Sequence, residues 1–423
     1  MLDIKRIVED KEVVKKALLK RMEEKDFNLD EITDAYDERK EKQQEYDNLR
    51  AKQKGFNDQM SKVEKGSDEF KKLIVELKNL SEEVKEAEEE LREAEEELKK
   101  KLEVLPNLPD DDVVGGGKEN NRVIREIGEK PEFGFKIKDH LEIGEGLGMI
   151  DMDRATKMAG SNFAMYTGLG AQLEWAMINY FISEHIKDGY KMILPPHLLV
   201  EESGYTAGQL PKFKDDVYWV QDGSMLLPTA ETALANIYRN ELLNEADLPI
   251  KLFGYTPCYR REAGGYRANE RGLLRMHQFN KVEMFQYTTP EQSEAALEEL
   301  LNKATNLVDG LGLHYRVSQL AAADCSAGAA KTYDVEVWLP YLQTYYEVSS
   351  ISNVRDYQAR RGNIKYKTGE GDNKYVHMLN ASGLATSRLM VAVLETYQNE
   401  DGSLTVPKAL QQFVGKEKIE KGK

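Results

Sequence analysis

Two runs of apolar residues, spaced alternately three and four apart, constrain this chain more than any other feature of its sequence. The first run is Tyr46, Leu49, Gln53, Phe56, Met60 and Val63, in which Gln53 is the one polar residue. The second run is Phe70, Leu73, Leu77, Leu80, Val84, Ala87, Leu91, Ala94 and Leu98. Such spacing is typical of the seam of a coiled coil. Gly66-Ser67 breaks the helix between the runs, and Ser67 can cap the second helix. The pattern predicts an antiparallel helical hairpin, with limbs of roughly 35 residues that extend on the order of 50 Å.

The sequence changes in character after the second limb. Pro106, Pro109 and Asp110–Asp112 end the limb, and Gly115–Gly117 are expected to form a flexible joint. A helical pattern then gives way to short β-rich runs that do not alternate with helices one for one. The helical pattern lies near Leu173–Ile186, and the β-rich runs are Lys251–Tyr259, Lys281–Tyr287 and Val335–Leu339. We therefore predict a helical unit over residues 1–105 and, over residues 113–423, an α+β unit with helices against an antiparallel sheet.

The charge along the predicted hairpin is uneven. Lysine and arginine outnumber acidic residues over positions 50–78, whereas positions 82–97 are nearly all glutamate. The whole chain has a formal net charge of −16, which argues against extensive nucleic-acid binding but permits a local basic patch. Two interpretations remain open at this point. The hairpin is either a solvated coiled coil that acts as a spacer or dimeriser, or an arm whose basic end binds a polyanion.

Composition and missing motifs exclude several classes of protein. The two cysteines, Cys258 and Cys325, are too few for a disulfide framework or a cysteine-ligated zinc cluster. The chain has no apolar run long enough to cross a membrane and no secretory signal at its N-terminus, so we expect a soluble, cytoplasmic protein. It contains no P-loop and no HExxH, and Gly144–Gly148 is interpreted as a turn rather than a dinucleotide site.

The densest polar segment predicts a hairpin that directs several arginines toward one place. Five arginines lie from Arg260 to Arg275, between a β-rich run and a second strand that ends near Glu283. A surface loop is the simpler interpretation, but guanidinium groups gathered in this way suit a polyanion such as a triphosphate. Three other segments have the composition of a site: a strand stopped by proline at Gly189–Pro196, Thr229-Ala-Glu231, and the small residues of Asn380–Arg388 before an apolar helix.

These segments resemble motifs 1, 2 and 3 of the class II aminoacyl-tRNA synthetases. The finer pattern is similar to the seryl-tRNA synthetase family, and the resemblance covers essentially the whole chain, including the helical arm. The segments that match that family are Thr229-Ala-Glu231, Arg271-Gly and His277-Gln-Phe279, Tyr333–Pro340, Glu347–Asn353 and Asp356–Arg361. Three single positions depart from the family's usual pattern: Asn162 replaces a frequent arginine, and Ala381 and Ser387 replace glycines. The loop Gly265–Glu270, which lies outside the residues described below, differs from that pattern as well.

The resemblance implies a role for each site residue. Arg260 would bind the α-phosphate of ATP, Arg388 the γ-phosphate, and Phe279 would stack on adenine. The remaining ATP-binding residues implied are Arg261, Glu262, Met276, Glu347, Val348, Ser349 and Ser350. Glu347 and Ser350 would act partly through Mg²⁺, and no zinc is expected. Thr229, Ala230 and Glu231 would hold the α-ammonium end of L-serine, and Glu283 and Ser382 its hydroxyl. Arg260, Glu283 and Arg388 would be the catalytic residues.

The resemblance also implies an activity and partners. The enzyme would convert L-serine and ATP to seryl-adenylate and transfer the seryl group to tRNA(Ser), and to tRNA(Sec) as well. It would be a homodimer whose arm brings tRNA to the partner subunit's active site, through Lys52, Lys54, Lys62 and Lys71 on the arm. Two alternatives remain. One is a ligase of the same fold that loads an amino acid onto a carrier protein, although such relatives lack the arm; the other is a non-catalytic interaction protein.

Overall fold

The computed structural model describes residues 1–262 and 271–421. It divides into two compact units, Met1–Pro106 and Asn107–Lys423. Within the described residues, no helix has both the length and the apolar character needed to cross a membrane. The two units are described separately.

The first unit consists of helices, two of them long. They are α1 (Ile4–Glu9), α2 (Lys11–Leu18), α3 (Leu29–Met60) and α4 (Asp68–Glu103). The predicted antiparallel hairpin of α3 and α4 is confirmed, and Ser67 caps α4 by accepting a hydrogen bond from the Phe70 amide at 3.1 Å. Leu80, Val84 and Leu91 of the second seam are buried against α3. Arg39 and Lys42 of α3 form ion pairs with Glu95 and Glu90 of α4, so glutamates of the acidic stretch also hold the hairpin together.

Helix α3 begins at Leu29, well before the seam identified at Tyr46. The reason is that Leu29, Ile32 and Ala35 are buried, and α3 contacts α1 within the first unit. The start is fixed by Asn28, whose side chain accepts hydrogen bonds from the amides of Asp30 and Glu31. Packing inside this unit therefore extends the helix beyond the stretch that pairs as a coiled coil.

The second unit combines one large sheet with helices and three small sheets. Its helices are α5 (His140–Gly146), α6 (Met152–Ala159), α7 (Leu169–Lys187), α8 (Glu201–Thr206), α9 (Glu231–Leu234), α10 (Ser293–Gly310), α11 (Tyr357–Gly362), α12 (Thr386–Thr396) and α13 (Lys408–Val414). Its strands are β1 (Arg122–Ile127), β2 (Lys191–Ile193), β3 (Leu198–Leu199), β4 (Met225–Leu226), β5 (Leu242–Asn244), β6 (Ile250–Tyr259), β7 (Gln278–Thr288), β8 (Tyr315–Gln319), β9 (Lys331–Leu339), β10 (Thr344–Arg355), β11 (Lys365–Lys367), β12 (Asn373–Tyr375), β13 (His377–Ala385), β14 (Leu404–Thr405) and β15 (Lys418–Ile419).

The large sheet confirms the predicted antiparallel architecture. Its strand order is β1-β8-β9-β10-β13-β7-β6-β2, and every neighbouring pair is antiparallel except β2–β6. One face packs on α7, α10 and α12, where Val335, Val337 and Leu339 of β9 join the main apolar core. Because side chains alternate along a strand, Asp334, Glu336 and Trp338 of β9 point to the opposite face. That polar face holds the candidate site.

Two local expectations are corrected. The segment expected to be a flexible joint is hydrogen-bonded to the second unit, since the amides of Ala322 and Ala323 donate to the carbonyls of Val114 and Gly116 at 2.8 and 2.9 Å. The glycine run predicted as a turn lies partly in a helix: α5 ends at Gly146, and only the residues after it turn, with Gly148 at a φ of 64°. A long-range contact holds the backbone in the first of these places, and local helical hydrogen bonds do so in the second.

Candidate functional site

The polar face of the large sheet carries an open cleft. The residues that line it come from the hairpin of β6 and β7, from β10 and from the start of α12. They are Arg260, Glu262, Leu274, Arg275, Met276, Phe279, Lys281, Glu347, Val348, Ser382, Ala385, Ser387 and Arg388. An adjoining pocket is lined by Thr229 and Pro228, and Arg260 and Glu262 border both spaces. Residues 100 or more positions apart in the sequence are thus brought to one place.

Arg260 is held in a fixed orientation at the end of β6. Its backbone amide donates to the His277 carbonyl at 2.9 Å, and the His277 ring donates through Nδ1 to the Arg260 carbonyl at 3.0 Å. The guanidinium donates through Nε to the Pro228 carbonyl at 3.2 Å, and its Cζ lies 5.2 Å from the centre of the Phe279 ring. The remaining N–H groups of the fork are therefore presented next to an aromatic face.

Glu262 follows in the left-handed backbone region, with a φ of 51°. Its carboxylate forms an ion pair with Arg275 at 2.6 Å, which ties the two ends of the hairpin together. Arg261 is exposed, and its amide donates to the Asp216 carbonyl at 2.9 Å. Arg267, one of the five arginines of the predicted loop, lies outside the described residues.

Arg388 is the third residue of α12 and connects three parts of the site. Its Nη1 donates to the backbone carbonyl of Glu347 at 2.8 Å and lies 3.4 Å from that residue's carboxylate. Its Nε donates to the Leu274 carbonyl at 3.3 Å. The position of this guanidinium near the helix N-terminus favours an anionic ligand.

Two glutamates that lie close enough to influence each other's charge are found near Thr229 and Arg260. Glu231 accepts hydrogen bonds from the side-chain amides of Gln358 and Asn380 at 2.7 and 3.0 Å. Burial, and the nearby negative charge of Glu283, raise the pKa of Glu231 to about 7. Glu283 forms an ion pair with Lys281 and accepts a hydrogen bond from the Thr229 hydroxyl at 3.4 Å.

The other predicted residues of the serine and ATP sites differ in what their side chains offer. Ser382 lies opposite Glu283 in the β13–β7 register and lines the cleft. Ala230 is fully buried before α9, and Val348 is almost fully buried. Ser349 donates its hydroxyl to the Ser382 carbonyl at 2.6 Å, so that side chain stabilises the sheet. Met276 is also buried, which leaves its backbone as the part able to contact a ligand at the cleft.

Carboxylate and hydroxyl side chains face one another on β9 and β10. In the register of these strands, Glu347 faces Glu336 and Ser350 faces Asp334. Burial and the adjacent Glu347 charge raise the pKa of Asp334 well above its usual range, against the effect of a hydrogen bond from Ser350. Its Oδ1 is buried without a hydrogen-bond partner. Among the residues that the structure describes, no group of three or more His, Cys, Asp or Glu is arranged to hold a metal.

Several residues that shape the site have no role implied by the family resemblance. Lys281 and Arg275 were visible as charged residues in the hairpin segment, and Lys281 is two residues before Glu283, hence on the same strand face. Gln358 reaches Glu231 from α11, and no local pattern could have identified that contact.

Asp139 and His140 anchor the returning end of the arginine hairpin. Asp139 forms an ion pair with Arg271 while it caps α5, accepting a hydrogen bond from the Glu142 amide at 2.9 Å. His140 accepts a hydrogen bond from the Leu273 amide at its Nε2, at 3.3 Å. Gly272, between Arg271 and Leu273 in the chain, has a φ of 65°, and a Cβ there would lie 2.5 Å from the His140 ring. The chain therefore passes directly over this histidine before it reaches the cleft.

The three departures from the family pattern have distinct surroundings. Asn162 adopts a φ of 61°, and its backbone carbonyl accepts a hydrogen bond from the His277 amide at 3.0 Å. Ala381 is buried in the main core, whereas Ser387 lines the cleft. Of these three positions, only Ser387 therefore places an altered side chain in the cleft.

The predicted arm residues belong to the other unit. Lys52, Lys54 and Lys62 are exposed around the end of α3, and Lys71 is exposed near the start of α4.

Comparisons with known proteins agree along the whole chain. Residues 1–109 match the model of the seryl-tRNA synthetase N-terminal domain, and residues 217–397 match the class II tRNA synthetase core domain of the G, H, P, S and T enzymes. Serine--tRNA ligase 2 of Clostridium acetobutylicum is 53% identical, over 99% of this chain and 100% of its own. Serine--tRNA ligase of Petrotoga mobilis is 47% identical over the same shares. The crystal structure of seryl-tRNA synthetase from Pyrococcus horikoshii complexed with ATP superimposes with a TM-score of 0.90 at 33% identity, covering 100% of both chains.

Proposed function

Since the chain belongs to the seryl-tRNA synthetase family, we propose how its residues perform that family's reaction. The enzyme activates L-serine with ATP to form seryl-adenylate and then transfers the seryl group to tRNA(Ser). The observation that supports our residue assignments best is that Arg260, Phe279, Lys281 and Arg388 line one cleft, and that Glu283 is hydrogen-bonded to Thr229, which lines the adjoining pocket. A carrier-protein ligase is disfavoured, because the N-terminal unit matches the seryl-tRNA synthetase domain.

ATP would lie along the cleft from Phe279 to Arg388. Adenine would stack on Phe279, with Glu262 and the Met276 backbone at its edge, next to the Arg260 guanidinium that lies 5.2 Å from the ring. Arg260 would bind the α-phosphate and stabilise the charge that develops there when the serine carboxylate attacks. Arg388 would bind the γ-phosphate, where the α12 N-terminus adds to its attraction for an anion. Pyrophosphate would leave from the Arg388 end.

A magnesium ion would be held by Glu347 and Ser350. Carboxylate and hydroxyl oxygens are ligands that this hard cation prefers, and the unpartnered oxygen of Asp334 lies in the same register. The ion would supply positive charge that neutralises the phosphates. The rest of its coordination would come from ATP and water, as is usual for Mg²⁺ in nucleotide sites.

L-serine would occupy the pocket beside Arg260. Thr229 and Glu231, with Ala230 between them, would bind the α-ammonium group, because a buried carboxylate held by neutral amides gains a cationic partner there. Glu283 and Ser382 would bond the substrate hydroxyl. A site that hydrogen-bonds a hydroxyl rejects the analogue without it by about 10⁴–10⁵, since its own polar groups are otherwise left unpaired.

The arm would bind tRNA through phosphate contacts made by Lys52, Lys54, Lys62 and Lys71. These lysines are exposed on the part of the hairpin where basic residues outnumber acidic ones. Phosphate contacts position a nucleic acid without reading its bases, so the same arm would accept tRNA(Sec) as a second substrate. The arm would serve the active site of the partner subunit in a homodimer.

The dimer would form at the β2 edge of the large sheet. Strand β2 pairs with β6 on one side only. Around it Trp175, Leu194 and Leu198 are between 53% and 72% exposed, an unusual density of exposed apolar side chains. A second copy that covered this edge would remove them from water. We place the enzyme in the cytoplasm, where tRNA is charged.

ATP–pyrophosphate exchange across a panel of amino acids tests these assignments. We expect exchange with serine, a large preference for serine over alanine, and a smaller preference over threonine, which must be excluded by size. Glu283→Gln should greatly reduce serine-dependent exchange while the affinity for ATP, measured by equilibrium binding, stays within about twofold. Unchanged serine turnover in Glu283→Gln would show that this residue does not select the substrate.

A further inference from the structure

Lys281 lies in the middle of the catalytic cleft and has no place in the roles proposed above. Strand β7 presents Phe279, Lys281 and Glu283 on one face, because alternate side chains along a strand share a face. Lys281 is thus located between the proposed adenine end and the proposed serine end. Its side chain is 7% exposed, and it lines the cleft.

The two oxygens of Glu283 have different surroundings. Oε2 forms the ion pair with Lys281 and also accepts the hydrogen bond from the Thr229 hydroxyl at 3.4 Å. Within residues 1–262 and 271–421, no group donates a hydrogen bond to Oε1, and the closest approach of Lys281 is to Oε2. One oxygen is therefore held by the protein, and the other is left for a ligand.

Glu231, the acid whose charge interacts with that of Glu283, is held differently. Its hydrogen-bond partners are the neutral side-chain amides of Gln358 and Asn380. Of these two carboxylates, Glu283 is the one that forms an ion pair with Lys281. A buried carboxylate that loses its cationic partner is left with an uncompensated charge, and it then changes its conformation or takes up a proton.

We propose that Lys281 is a positioning residue for serine selection: it holds Oε2 of Glu283, so that Oε1 accepts the hydrogen bond of the substrate hydroxyl. This inference rests on the proposed role of Glu283 and extends it. Without Lys281, Glu283 would lie in a pocket that already contains Glu231, and mutual repulsion would move it or neutralise it. A neutral or displaced carboxyl no longer presents a fixed acceptor, so serine loses its advantage over alanine.

The test uses Lys281→Met, which keeps the length of the side chain and removes the charge, in steady-state pyrophosphate exchange. We expect kcat/KM for serine to fall more than about tenfold, mainly through a higher serine KM, and the ratio of serine to alanine activity to fall with it. The KM for ATP should stay within about twofold. Lys281→Arg, which keeps the charge, should recover part of the loss in serine KM.

Lys331→Met is the matched control. Lys331 is another buried lysine of the same sheet, paired with Asp112 at 2.7 Å, and it does not line the cleft. It should lose as much thermal stability as Lys281→Met but keep the ratio of serine to alanine activity. If Lys281→Met does not fold, Lys281→Arg and Lys281→Gln are measured in its place.

The double variant Lys281→Met/Glu283→Gln separates the inference from the proposal beneath it. If Lys281 acts through Glu283, kcat/KM for serine in the double variant should lie within about twofold of the value in the less active single variant. Additive losses, or a rise confined to the ATP KM, overturn the inference and indicate a direct contact with phosphate. A normal serine KM in Glu283→Gln overturns the role of Glu283 itself. A normal serine KM in Lys281→Met, with Glu283→Gln impaired, overturns the inference alone.

Discussion

At the scale of single residues, the cleft contrasts two acids that differ in their immediate neighbours. Glu283 has a lysine against it, whereas Glu231 has two neutral amides, and the pKa of Glu231 is raised to about 7. The carboxyl group of Glu231 is therefore partly protonated near neutral pH in the free enzyme. In the proposed site, the ammonium group of serine would favour the ionised form of Glu231, so substrate binding and loss of this proton would be coupled.

This coupling predicts a pH-dependent affinity for serine. Below about pH 7 serine must displace a proton from Glu231, so the serine KM should rise by up to about tenfold for each pH unit of acidification and level off above about pH 7. The measurement is serine KM in exchange between about pH 6 and about pH 8, at saturating ATP.

Glu231→Gln identifies the group responsible. Glu174 is a second buried acid with a pKa of about 7, so a pH profile alone does not identify the residue. We expect Glu231→Gln to raise the serine KM at every pH and to remove its dependence on pH. A variant that kept the wild-type profile would assign the titration to another group.

Arg260→Lys tests the value of the guanidinium fork. Arg260 donates to the Pro228 carbonyl through Nε and still presents further N–H groups beside Phe279. Lysine keeps the charge but has a single terminal nitrogen, which cannot do both. We expect kcat for adenylate formation to fall by more than about tenfold, equivalent to about 1.4 kcal/mol of transition-state stabilisation. Arg154→Lys, at an exposed ion pair, should have no effect.

At the scale of secondary-structure elements, the site depends on how the returning end of the arginine hairpin is fixed to α5. The segment after Arg271 supplies the Leu274 carbonyl that binds Arg388, and Arg275, which pairs with Glu262. Asp139 and His140 hold that segment at its start through Arg271 and the Leu273 amide. Helix α5, which lies outside the sheet, therefore positions the segment that contains Leu274 and Arg275 and contacts Arg388.

Asp139→Asn should weaken ATP binding through this anchor. Asparagine still caps α5 but loses the ion pair with Arg271. If the lost charged hydrogen bond contributes about 1 kcal/mol or more, the KM for ATP rises about fivefold or more, while thermal stability changes little because Arg271 is largely exposed. Asp151→Asn is a matched control, since Asp151 also caps a helix, α6, and pairs with an arginine, Arg154. An equal change of ATP KM in both variants would contradict the anchor.

At the scale of the whole molecule, the enzyme consists of two compact units, to which we assign different tasks. The residues assigned to ATP and serine all belong to the unit from Asn107, and the proposed tRNA-binding lysines all belong to the unit that ends at Pro106. Chemistry at the cleft should therefore be separable from recognition of tRNA. Binding energy between the proposed arm lysines and tRNA would contribute to aminoacylation. It would not contribute to adenylate formation, because tRNA takes no part in that step.

Replacing Asp30–Lys100 by a short linker should leave serine-dependent exchange largely intact and reduce aminoacylation of tRNA by orders of magnitude. Neutralising Lys52, Lys54, Lys62 and Lys71 to glutamine should weaken tRNA binding and flatten its salt dependence, because each lost phosphate contact removes about 0.7–0.9 from the log–log slope. The matched control neutralises four other exposed arm lysines, Lys40, Lys85, Lys99 and Lys100. If these variants lose aminoacylation only to the extent that they lose dimerisation, which sedimentation measures, the spacer interpretation would be supported instead.

The sequence by itself determined the elements whose patterns are local. The three-and-four spacing of Leu73 to Leu98 predicts the hairpin, and the β-rich runs predict strands, because each pattern repeats within a few residues. The motif residues Arg260, Glu283 and Arg388 were also identified from the sequence, through the resemblance to a family.

Only the tertiary structure decided which of these residues meet. Glu231 bonds Gln358 and Asn380, which lie 127 and 149 positions away, and Arg271 pairs with Asp139 at a separation of 132. Such contacts follow from strand order and register in the large sheet and from the packing of helices on it. These depend on closing loops of more than a hundred residues and on burial summed over the whole unit, so no short stretch of sequence contains them.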